Sequence, residues 1–234
     1  MNVTTKPGGR RRFYTLMAWA LAVIVVIGFS RSFYLRPWFE VAPLTLGLHL
    51  HGATLTLWVI LFVVQARSIA AGRRRLHMSF GIGGIALAAI AIATTYAAAI
   101  ESVRLGVELG GIGIDRLYSN VVLLTLFGSF VGLGAAFRKR PEIHKAFMLL
   151  AMIAAIGPAV TRAVALIFGQ GIRDSHLPVE AAFVLSALFY CWRTQRRLDW
   201  VLLCGGVLLI ATQATRRIVG GSAEWVQIGS WLVQ

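Results

Sequence analysis

Seven long apolar blocks, separated by short clusters of arginine and lysine, constrain this chain more than any other feature. They run at about 13–33, 44–65, 78–100, 118–137, 145–168, 177–192 and 199–219. A hydrocarbon core of about 30 Å takes about 20 helical residues to cross. In lipid each block must be a helix, because only a helix or a closed barrel satisfies its own backbone there. The expectation is an all-α integral membrane protein, a seven-transmembrane-helix bundle forming a single domain over residues 1–234. Charged residues make up 14% of the chain, against roughly 25% in an average soluble domain. The blocks and their short connections use nearly every residue, so no soluble domain is expected. The sixth block is the shortest and carries Glu180 inside it.

The positive charges alternate with the crossings. Fifteen Lys and Arg fall on one side, including Arg10-Arg11-Arg12, Arg73-Arg74-Arg75, Arg138-Lys139-Arg140 and Arg193 with Arg196-Arg197. Five fall on the other side, at Arg31, Arg36, Arg104, Arg116 and Arg173. The positive-inside rule then places the N-terminus in the cytoplasm and the C-terminus in the periplasm of a bacterial inner membrane. The net charge of +14 is accounted for by the same clusters, which meet anionic lipid headgroups. The partners expected are membrane lipids and a redox or assembly protein, with no nucleic acid. Block one exceeds a signal-peptide core and is followed by no small-residue cleavage site, so it reads as an uncleaved helix. Residues 222–234 carry Trp225 and Trp231 among small and apolar residues and read as an interfacial helix. Glu101–Arg116, rich in glycine over 106–113, reads as a lid or a linker.

Ionisable groups inside a membrane are costly and face a cavity or a partner. At about 1.5 Å of rise per residue, His51, Arg162, Glu180, Arg216 and Asn120 come from five different helices at one depth, in the outer leaflet. Trp58 lies on the face of its helix that carries His51. Together they predict an outer polar pocket for an anionic or lipidic ligand, with Glu180 as the partner of Arg162. Snorkelling from helix ends is the plainer account of Arg217 and covers Glu180 too. It suits Arg162 poorly, beside the Gly157-Pro158 break. His49 and His51 stand about 200° apart around a helix and cannot share one ion. Either could be the functional one; His51 is taken as the ligand and His49 as the packing residue.

A second pair belongs to the inner side, where His77 opens the third block and His144 the fifth. Histidines at helix ends among arginines often do no more than meet headgroups. Two imidazoles level with one another across a bundle could instead be axial ligands of haem b iron. Each nitrogen would stand about 2.0 Å from the metal, by analogy with other metal–imidazole bonds. Gly81, Gly83 and Gly84 would let a flat macrocycle approach. His51 is too far away to share that iron and would mark a second site, making a transmembrane electron path. HExxH and CxxC zinc patterns, di-iron histidine clusters and nucleotide-binding loops are absent from the sequence. The two cysteines, Cys191 and Cys204, read as small packing residues.

His49-Leu50-His51-Gly52, Trp58, Gln65, Leu76-His77 with Gly81, and Arg140-Pro141-Glu142-Ile143-His144-Lys145 with Met148 form a pattern. It resembles a family of uncharacterised bacterial multi-pass inner-membrane proteins with an HxHG…W…Q…LHRxxG…RPExHKRxM signature. The match covers about residues 29–150. The resemblance implies the same helical fold and points to His51, His77 and His144. Met78 and Ala146 stand where the signature has arginine, which removes inner-face charge. Three functions remain open from the sequence. They are a haem b protein for electron transfer, a cofactor-free carrier or assembly factor using the outer pocket, and an enzyme acting on a lipid or isoprenoid through His51 or Glu180.

Overall fold

A computed structural model describes residues 7–40, 43–108, 114–172 and 174–233, and all its regular elements are helical. They are α1 (Pro7–Phe29), α2 (Leu46–Ala70), α3 (Arg74–Glu108), α4 (Ile114–Ala136), α5 (Pro141–Ala155), α6 (Gly157–Phe168), α7 (His176–Gln195), α8 (Trp200–Gly220) and α9 (Ala223–Val233). Five of them, α1, α2, α3, α4 and α8, are long and apolar enough to cross a membrane, and the bent pair α5–α6 makes six if counted as one span. The chain is thus compatible with a multi-pass membrane protein.

Helix starts follow the local sequence. Thr45 caps α2 by accepting the Leu48 N–H at 3.3 Å. Asp199 caps α8 by accepting the N–H groups of Val201 and Leu202 at 3.1 and 3.2 Å. Pro141 takes the first position of α5, where its missing N–H costs nothing. Hydroxyls inside the apolar helices bond back to their own backbone, as Thr54 does to Leu50 O and Ser68 to Val64 O, both at 2.7 Å. That satisfies them without water.

Helix α5 is the axis of the bundle. Leu150, Ala151, Met152, Ile153 and Ala154 are all fully buried, so every face of α5 meets protein over its last turn. Around it lie α4, α7 and α8, while α1 packs on α6. The closest approach there is at Gly28, where a Cβ would fall inside the backbone of Ala159. Large apolar side chains such as Leu16, Leu57, Ile82, Phe189 and Ile218 cover the outside. An exposed apolar surface of that extent suits contact with lipid tails.

Three boundaries differ from the sequence expectation. The fifth block is two helices, bent by 44° between Ala155 and Gly157. Pro158 has no N–H for the carbonyl of Ala154, so the helical ladder breaks there. Helix α3 runs on to Glu108 and α4 begins at Ile114, so most of the expected lid or linker is helix; 109–113 lie outside the described residues. The expected interfacial tail is helix α9, tied to the bundle by Trp225 Nε1 donating to Ile114 O at 2.9 Å. Cys191 is buried and Cys204 exposed, and neither forms a disulfide among the described residues.

Candidate functional sites

The first turns of α3 and α5 bring His77 and His144 together, with ring centres 6.0 Å apart and planes at 84°. His144 is held from behind: its Nδ1–H donates to the carbonyl oxygen of Gly134 at 2.7 Å. That bond fixes the tautomer and leaves Nε2 with its lone pair, the form in which histidine binds a metal. His77 Nδ1 is buried and has no hydrogen-bond partner among the described residues, and so is Gln65 Oε1 of α2. Gln65 lies alongside, its amide nitrogen 3.6 Å from where a Cβ on Gly81 would stand. Gly83 opens onto space with no atom within 4 Å of such a Cβ, whereas Gly84 is closed by Leu61 at 3.1 Å. On the flank of α5, Lys145 pairs with Glu142 and stands 5.0 Å from the centre of the Tyr14 ring.

Two metal–imidazole bonds of about 2.0 Å and two ring radii of about 1.1 Å would add up to roughly 6 Å between ring centres. The observed 6.0 Å between ring centres is of that size. The site holds two histidines and gathers no third His, Cys, Asp or Glu among the described residues. That donor set suits a group bringing its own equatorial ligands better than a bare tetrahedral ion.

The outer polar residues do not form one pocket. His51 lies 3.3 Å from Thr95 Oγ1 through Nδ1. Thr95 gives its only proton to Ala91 O at 2.6 Å, so His51 Nδ1–H is the donor and Nε2 keeps its lone pair. Arg162 is near enough to act on His51 electrostatically. Its partner is not Glu180, contrary to expectation. Arg162 is exposed, donates to Pro158 O of its own helix at 3.2 Å, and lies over the Phe29 ring at 4.8 Å. The break before Gly157 turns α6 so that Arg162 meets α1 rather than α7. His49 bonds Thr45 O within α2 at 3.0 Å, and Phe33 packs over neighbouring Gly52.

Glu180 belongs to a second cluster, at the start of α7 and the end of α8. Glu180, His176 and Gln213 are each at most 1% exposed. A Cβ on Gly157 would stand 2.9 Å from Glu180 Oε1 and 3.6 Å from His176 Cδ2, so the helix break makes room for both side chains. Arg216 donates to Gln213 Oε1 at 3.4 Å and to Asp174 Oδ1 at 3.1 Å, with Arg217 3.4 Å from the same carboxylate. Asp174 and Gln213 escaped the sequence reading. The spacing of Gln213 from Arg216 puts the two on one helix face and could have revealed it. Asn120 and Trp58 take no part in either group. Trp58 is core, edge-on to Phe127 at 5.1 Å, with its indole N–H unpartnered among the described residues.

Comparison of the chain with protein-family models, with characterised proteins and with solved structures gives no match.

Proposed function

We propose that this is a seven-span protein of the bacterial inner membrane that binds haem b through His77 and His144 and passes electrons. The observation that carries the reading is the convergence of two imidazoles from different helices, 6.0 Å apart between centres, with His144 braced by the Gly134 carbonyl. Metal-ligating histidines commonly donate their second ring nitrogen to such an acceptor, which fixes ring orientation and raises basicity. The unpartnered His77 Nδ1 and Gln65 Oε1 are buried polar atoms that a bound group or its water would satisfy. Arg73, Arg74 and Arg140 flank the pair in sequence and supply cations of the kind that meet carboxylates such as haem propionates. Bound there, haem would supply one-electron chemistry. The chain's own work is to hold and orient the two rings and to present cations at the membrane surface.

Protein purified in mild detergent from haem-sufficient cells is expected to show a Soret band and a reduced-minus-oxidised difference spectrum. Colourless, folded protein that also fails to take up added haemin would end this reading.

The seven-span topology rests on the alternation of Lys and Arg, with α7 as the sixth crossing although it is less apolar than the others. A C-terminal alkaline phosphatase fusion is expected to be active and a C-terminal fluorescent fusion dark. The opposite pattern would require an even number of crossings.

A further inference from the structure

We propose that Glu180 and His176 hold an exchangeable proton between them in the buried cluster at the α5–α6 break, as a proton-binding site separate from the histidine pair. The break lies about 18 Å along the helical path from His144 at 1.5 Å per residue.

The case rests on unmatched hydrogen-bonding groups. Both carboxylate oxygens of Glu180, Nε2 of His176 and Nε2 of Gln213 are buried and have no partner among the described residues. Each such atom costs about 1–3 kcal/mol if it stays unsatisfied, so four in one place indicate bound water or an occupant. Glutamate and histidine one helical turn apart both exchange protons with water, and buried side chains of these types mark proton relays in membrane proteins. Gly157 is the enabling residue. Any side chain there would displace the carboxylate, and the adjoining break leaves the Ala154 carbonyl without its helical donor.

The charged surroundings are asymmetric. From α8, Arg216 acts on Glu180 and His176, and Gln213 adds a neutral amide. Asp174, in the connection before α7, acts on His176 and binds Arg216 and Arg217. Helix α6 contributes the Gly157 backbone, while the Arg162 head lies against Phe29. With Glu180 ionised, two carboxylates face two guanidiniums, so no surplus negative charge calls for a metal cation, whereas a proton supplies the donor that the Glu180 oxygens lack. In uptake, hydronium gives its proton to a Glu180 oxygen, leaving water and the neutral acid. In release the acid's O–H bond breaks, the proton forms an N–H bond at His176 Nε2, and that bond breaks in turn as water takes the proton up as hydronium.

Dicyclohexylcarbodiimide, an apolar reagent that adds to protonated carboxyl groups within membranes, tests the site. In detergent-solubilised full-length protein, mass spectrometry should find the adduct on Glu180. Labelling should fall away as pH is raised and be absent in Glu180→Gln. His176→Gln should shift the pH at which labelling is lost, an effect not expected of a merely structural histidine. Retention of the wild-type gel-filtration profile qualifies each variant. Absence of the adduct on Glu180 at every pH would overturn the proposal. Suppression by sodium at fixed pH would overturn it as well, by identifying the occupant as a metal cation.

Discussion

His144→Ala is expected to abolish the Soret absorbance of the purified protein, and His77→Ala to do the same. On the proposed reading each removes one of the two ligands, so the loss should be near complete. His144 is the more telling position. Its ring is already aligned by the 2.7 Å bond to Gly134 O, and the ordering entropy of a ligand side chain is thereby met before any metal binds. His51→Ala should leave the inner spectrum unchanged, because His51 is engaged with Thr95 on the far part of α2. Absorption spectra at matched protein concentration, with circular dichroism to verify helicity, decide the matter. An intact Soret band in His144→Ala would remove the pair from haem ligation altogether.

Gly28→Ala is expected to lower thermal stability more than any other single added methyl group in the transmembrane helices. The new Cβ would land on the O, C and Cα atoms of Ala159. Those are backbone atoms, so no rotamer change can relieve the overlap, and α1 must back away from α6. Forcing extra volume into a packed contact costs about 1–3 kcal/mol. At about 2–4 °C per kcal/mol for a chain of this size, Tm should fall by several degrees. Gly83→Ala is the matched control. Nothing lies within 4 Å of its added methyl, and it replaces glycine by a better helix former. Melting curves in one detergent would test the pair, and equal Tm values would mean that α1 and α6 are not in close contact.

Much of this architecture was legible in the sequence because apolar blocks of about 20 residues satisfy their own backbone as helices. The apolar blocks became helices, and Gly157-Pro158 marked its own break. Helix α3 overran its predicted end because Glu101, Ser102 and Arg104 interrupt hydropathy without interrupting the backbone hydrogen bonds. Depth counting put His77 and His144 level, and they do meet. The same counting failed for Arg162 and Glu180. Equal depth says nothing about direction around the bundle, and a 44° bend re-aims everything beyond it. Gln213 was hidden for another reason: a single amide in an apolar helix carries no charge, and only its three-residue spacing from Arg216 hinted at its place.

The break at Ile156 also divides cooperativity. A continuous helix frays from its ends and opens as one unit, but the α5–α6 segment has an interior pair of ends. Its first half packs against α4, α8 and α7, whereas its second half is held chiefly by α1 and α7. Local opening of α6 can therefore proceed while α5 stays closed, so hydration of the Glu180 cluster need not loosen His144. In energetic terms the bent pair is two segments joined end to end, each with its own set of packing neighbours.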